Sequence, residues 1–184
     1  MNITDGVLYK TKVLTIGAME SCREGGSNIR EYISSKLEPM GLTCWNHYQN
    51  PIIGINEGNG DLFGDLLKWR EKGMYEEVAK HKNIRHADLA LVDKADIIIM
   101  HYNKELLSCG TWEEVFRANT SQSKPIFVFS DQGVKALPIW MFWTLDYKYF
   151  YDSVDDVIDE LTDINDGTKP IDNHRWKLLR KEYR

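Results

Sequence analysis

Cysteine is scarce in this chain. Only Cys22, Cys44 and Cys109 occur among 184 residues, and no two stand at metal-ligand spacing. An odd, scattered set excludes a disulfide framework and fits a reduced, cytoplasmic protein. Long apolar runs are missing as well: none reaches the roughly 20 residues that span a bilayer. No basic segment leads into an apolar one near the start, so no membrane partner is expected. Positive charge is not in excess. With 23 Lys and Arg against 28 Asp and Glu, the net charge of -5 argues against nonspecific binding of a nucleic-acid polymer. His47, His81, His86 and His101 show no metal spacing, no Ser-His-Asp pattern stands out, and neither a Walker sequence nor GxGxxG is present. Neither a metal nor a cofactor is expected.

What is present is a regular alternation of short apolar runs and longer amphipathic ones. Lys12 to Ile16, Leu42 to His47, Asp96 to Met100, Pro125 to Phe129 and Leu145 to Tyr151 read as strands. Between them, Asn28 to Met40, Asp61 to Lys80, Ile84 to Lys94, Thr111 to Thr120 and Ser153 to Leu161 read as helices. Ser27 is placed to cap the first helix and Gly41 to follow its end. In the third helix Leu89 and Val92 are expected to face inward. This rhythm predicts an α/β fold: a single Rossmann-like or flavodoxin-like domain with a central parallel sheet of about five strands flanked by helices. The domain is assigned to residues 1–165, and 166–184 form a basic C-terminal tail. From Asp172 onward that tail holds five basic and two acidic residues, as a solvated terminus or as a contact for a phosphate or an acidic partner subunit.

The stretch from Asp88 to Ala118 carries the most chemical information. It delivers acidic side chains around the clearest buried strand, where an open α/β sheet builds its site. Glu114 is the first candidate for chemistry, because a carboxylate can attack an anomeric carbon. The competing reading is structural: Thr111 and Glu114 have the spacing of a helix capping box. Asp88 either engages a leaving group or is an ordinary exposed helix aspartate. Asp96 is expected to satisfy backbone groups at the strand start, and Glu113 to face solvent. Ser108, Gly110 and Thr111 combine a hydroxyl, a small residue and backbone amides at a helix start, which suits a phosphate or a plain cap. Gly17, Ala18 and Ser27 line the first loop with Gly25 and Gly26, and Trp45 and His47 near the end of the second strand point toward a base or sugar, or toward the core and loop hydrogen bonds.

Taken in order, Asp88-Leu89, Asp96, the apolar strand and Gly110-Thr111-x-x-Glu114 with Ala118 beyond resemble the nucleoside 2-deoxyribosyltransferase superfamily. The motif is most similar to its nucleoside 5'-monophosphate N-glycosidase branch, over about Val13 to Phe129. The resemblance implies a glutamate nucleophile at Glu114 and an aspartate, Asp88, that holds or protonates the leaving base. Ser108 stands where transferases commonly carry an aspartate, and the nucleotide-hydrolysing branch uses serine there for the 5'-phosphate. Thr15 departs from the tyrosine many relatives place near the end of the first strand. The implied partner is a small-molecule nucleotide, and the implied assembly a homodimer or larger homo-oligomer, with the helices after Asp61 and the region Trp140 to Trp143 as candidate contacts. Hydrolysis of a nucleoside 5'-monophosphate is the leading expectation. The alternatives are 2-deoxyribosyl transfer, a noncatalytic nucleotide sensor and a protein-interaction module.

Overall fold

The computed structural model describes residues 6–19, 26–48, 51, 60–106, 108–171 and 174–177. Five strands form one sheet: β1 (Lys12–Gly17), β2 (Thr43–Trp45), β3 (Ile97–His101), β4 (Ile126–Phe129) and β5 (Phe150–Tyr151). Every pairing is parallel, in the order β2-β1-β3-β4-β5. Among the described residues seven α-helices connect and cover them: α1 (Ser27–Leu37), α2 (Gly60–Glu71), α3 (Tyr75–Ala79), α4 (Asn83–Lys94), α5 (Cys109–Phe116), α6 (Ile139–Thr144) and α7 (Val154–Asn165). The expected α/β architecture and strand count are therefore both present. Among the described residues no helix is long and apolar enough to cross a membrane.

Alternation along the buried strands divides the core in two. Val13, Ile97, Ile99, Phe127 and Phe129 pack on one face with Ile33 and Leu37 of α1 and Val157, Ile158 and Leu161 of α7. Leu14, Ile16, Ile98, Met100, Ile126 and Val128 pack on the other with Leu91 and Val92 of α4, Val115 of α5 and Met141 of α6. A strand covered on both faces has no polar side, which explains the unbroken apolar run Ile97–Met100. Asp96 acts as expected at the strand start: its Oδ2 accepts the Lys12 amide at 2.8 Å. Lys124 donates from Nζ to the Val92, Asp93 and Ala95 carbonyls at the end of α4.

The element boundaries depart from the expected ones for local reasons. Gly26, at φ 72°, takes the cap position of α1, so Ser27 becomes the first helical residue and its hydroxyl reaches the Asn28 side chain. The helix stops at Leu37 because Pro39 opens a separate 3-10 turn over Glu38–Met40, closed by Gly41 at φ 87°. The long helix expected over 61–80 breaks into α2 and α3 around Gly73, at φ 70°, and Tyr75 at the start of α3 is exposed. In α4 Leu91 and Val92 are buried while Leu89 is only half-buried. The last strand shortens to two residues because Tyr147–Tyr149 coil into a 3-10 turn whose cap, Asp146, accepts the Lys148 amide at 3.2 Å. Ser153 does cap α7, which continues to Asn165.

Trp176, from the basic tail segment, is only 2% exposed and belongs to the first core. Its ring stands edge-on to Phe127 at 5.8 Å, and its Nε1 donates to the Tyr149 hydroxyl at 2.8 Å. Replacing a buried aromatic by alanine removes transfer energy and leaves a cavity. Trp176→Ala is therefore expected to cost about 3–5 kcal/mol, read as a lower urea midpoint with an unchanged slope. A midpoint equal to that of the parent protein would show that the tail contributes nothing to the core.

Candidate active site

The strand order reverses direction between β1 and β3, and in such sheets the ligand cleft opens outside the carboxyl ends of these strands. Three segments converge there. The chain leaving β2 supplies His47 two residues later. Helix α5 begins on the carboxyl side because it follows β3. Helix α4 descends toward the start of β3, so its first turns, with Arg85 and Asp88, lie on the same side.

Glu114, Asp88 and His47 are 4%, 5% and 3% exposed. Arg85 Nη1 donates to Glu114 Oε1 at 2.6 Å and lies 3.6 Å from Asp88 Oδ2. His47 Nε2 lies 3.2 Å from the same Glu114 Oε1, as a charge contact rather than an aligned hydrogen bond. Both basic side chains thus address one oxygen. Glu114 Oε2 carries no hydrogen bond among the described residues.

The charges set the protonation states. Burial alone would raise the Glu114 pKa, but the close contact with His47 and the charge and hydrogen bond of Arg85 outweigh it and hold the carboxyl below its ordinary value. Burial would lower His47, and Arg30 adds to that; Glu114, with help from Asp88, reverses both and leaves the imidazole above its ordinary value. The site therefore holds an ionised carboxylate under a cationic clamp, which is the state a carboxylate nucleophile requires.

The local fold also decides against a helix cap at Glu114. Helix α5 starts at Cys109 with Ser108 in the cap position, so Thr111 is the third helical residue and Glu114 falls in the second turn. No capping box forms. The expectation of an exposed Asp88 fails too, because α4 turns that face toward His47 and α5. Glu113 faces solvent as expected.

The other candidates are distributed around this centre. Thr111 is buried, and Gly110 lies against Arg85, whose Nη2 donates to its carbonyl at 2.7 Å. Ser108 is half-buried at the head of α5. Gly17 pairs with His101 at the ends of β1 and β3, where a Cβ on Gly17 would come within 3.1 Å of the His101 carbonyl oxygen. Ala18 and Ser27 are half-buried on either side of a first loop whose Gly25 lies outside the described residues. Trp45 packs against the second core and beneath Lys12. Sequence spacing offers no metal site, yet His47, Asp88 and Glu114 bring ligand atoms within 4.8 Å of one another. The Arg85 guanidinium lies against both carboxylates of this group.

Two arginines escaped the sequence reading. Arg85 stands three residues before Asp88, a spacing that puts both on one helix face and could have revealed it. Arg30 is 2% exposed and donates to the Gly26 and Gly17 carbonyls at 2.9 and 3.2 Å, tying the cap of α1 to the end of β1. Its signal was an arginine in phase with buried Ile33 and Leu37 on α1.

No protein-family model and no curated protein matches this sequence. Among solved structures, the fold is similar to a 2-deoxyribosyltransferase from the psychrotolerant bacterium Bacillus psychrosaccharolyticus. The TM-score is 0.53 at 18% identity, covering 81% of this chain and 91% of that one. The chain has the nucleoside deoxyribosyltransferase fold.

A raised histidine pKa has a definite consequence for stability. The His47 contribution is fully present below the unfolded value of about 6.5 and is lost as pH rises through the higher folded value. The stability margin of the parent over His47→Gln, measured by urea unfolding, should shrink as pH is raised above neutrality. A margin that grows with pH would contradict the charged pair. Glu114 acts in the opposite sense, losing its contribution as pH falls through its depressed folded value.

Proposed function

We propose that this protein cleaves the N-glycosidic bond of a nucleoside 5'-monophosphate, with Glu114 as nucleophile. The observation that carries the reading is a buried, ionised Glu114 whose Oε1 is held by Arg85 and His47 while Oε2 makes no hydrogen bond among the described residues. Oε2 attacks C1' of the sugar as the bond to the base breaks and its electron pair leaves with the base. Asp88, across the same cluster, supports that departure by holding or protonating the base. Water then attacks C1' and gives its proton to Asp88 or to the departed base, the glutamyl bond breaks, and Glu114 returns as a carboxylate with a sugar 5-phosphate released. Arg85 and His47 stabilise Glu114 before and after the covalent stage, when it is charged.

Ser108, Gly110 and Thr111 support phosphate binding, since the first turn of α5 offers a hydroxyl and amides without intrahelical acceptors. A hydroxyl at 108 brings no charge against a phosphate, where an aspartate would repel it. A second reading is transfer of the sugar to another base, favoured by the fold likeness to a 2-deoxyribosyltransferase. It uses the same glycosyl intermediate and differs only in what resolves it. The outer side of α6, with Ile139 and the 81% exposed Trp143, suits a second copy of the chain, while Trp140 packs inward on Trp112.

Common ribo- and deoxyribonucleoside 5'-monophosphates, and the matched nucleosides, are incubated with the protein and free base is measured by chromatography. Release from nucleotides is expected, with at least a thousand-fold loss in Glu114→Ala, as for other essential nucleophiles, and a shift toward nucleosides in Ser108→Asp. Base exchange that requires an added acceptor base would establish transfer instead. No release and no exchange with any of these compounds would sink both readings.

A further inference from the structure

The pair with Glu114 uses only one edge of the Arg85 guanidinium. The other edge faces Glu113: Arg85 Nε donates to Glu113 Oε2 at 2.9 Å. The Arg85 side chain is 30% exposed and that of Glu113 57%, so the guanidinium is buried where it meets Glu114 and open where it meets Glu113. Gly110 keeps it uncovered, since a Cβ there would already stand 3.5 Å from Nη1 and any longer side chain would extend across the group. An exposed carboxylate on a single guanidinium nitrogen is a weakly held counterion. A phosphate carries more charge and matches the planar donors of arginine better.

We propose that Glu113 is a placeholder for the substrate phosphate, and that Arg85 is the residue that selects phosphate-bearing substrates. The 5'-phosphate displaces Glu113 from the Nε edge while Nη1 stays on Glu114. One guanidinium then joins the phosphate to the nucleophile, and a substrate without phosphate leaves Arg85 divided between Glu113 and Glu114. This role rests on the nucleotide reading above and makes Arg85 a positioning residue, acting on chemistry through Glu114.

Inorganic phosphate is titrated into the full chain while the 15N–1H signal of Arg85 Nε is followed by NMR. Glu113→Gln removes the competitor at an exposed position and should tighten phosphate binding roughly two- to five-fold, the size of an exposed ion pair. Arg85→Lys should weaken binding and lower the kcat/KM preference for nucleotide over matched nucleoside at least ten-fold, mainly through KM. Phosphate binding that is unchanged in Glu113→Gln overturns the proposal, even where base release proceeds. Tighter phosphate binding in that variant without base release from any nucleotide supports the Arg85 site and counts against the glycosidase reading alone.

Discussion

A single guanidinium governs the charge of this site. Arg85 reaches Glu114 on α5, Asp88 on its own helix and the Gly110 carbonyl. Two carboxylates so close together in a buried place would repel and drive one of them to take a proton. The arginine, helped by His47, removes that conflict and leaves Glu114 ionised. A buried ion pair contributes little net stability when complete but is costly to break, because the remaining charge stays desolvated. The cluster is therefore better understood as a device for holding a reactive carboxylate than as a source of stability.

The backbone around the cluster serves the same end. A parallel sheet covered on both faces places its polar chemistry at the strand ends, because its faces are filled by apolar side chains. The connection after β2, the first turns of α4 and the start of α5 all lie at the carboxyl edge, so His47, the Arg85 and Asp88 pair of α4 and Glu114 meet from three distant stretches of sequence. Arg30, bound to the Gly17 and Gly26 carbonyls, joins the end of β1 to the cap of α1.

Much of this was legible in the sequence, and the limits have physical causes. The sheet could be read because strands buried on both faces leave an apolar run such as Ile97–Met100, which few other structures produce. Glu114 and Asp88 could be picked out by their order around that run, but not weighed, since burial decides whether a carboxylate caps a helix or holds a charge. The start of α5 settled that for Glu114: two residues earlier than expected, it carried the side chain from the cap into the second turn. Arg85 was missed because a charged residue before an aspartate on a helix resembles any surface pair. His47 was noticed only as a neighbour of a strand end, since a contact with Glu114 across 67 positions has no local signature. Helix ends at Gly26, Pro39 and Gly73 were misjudged by a few residues, where one backbone angle outweighed the apolar period.

The position of Trp176 bears on how the chain acquires its structure during synthesis. Domains fold as units while the chain is being made from its amino end. Here one wall of the core around Phe127 and Tyr149 comes from a residue translated after every strand of the sheet and every charged member of the site. A nascent chain can therefore pair all five strands while that hydrophobic face is still open to solvent. The molecule is vulnerable to association through that face in the interval before Trp176 arrives to cover it.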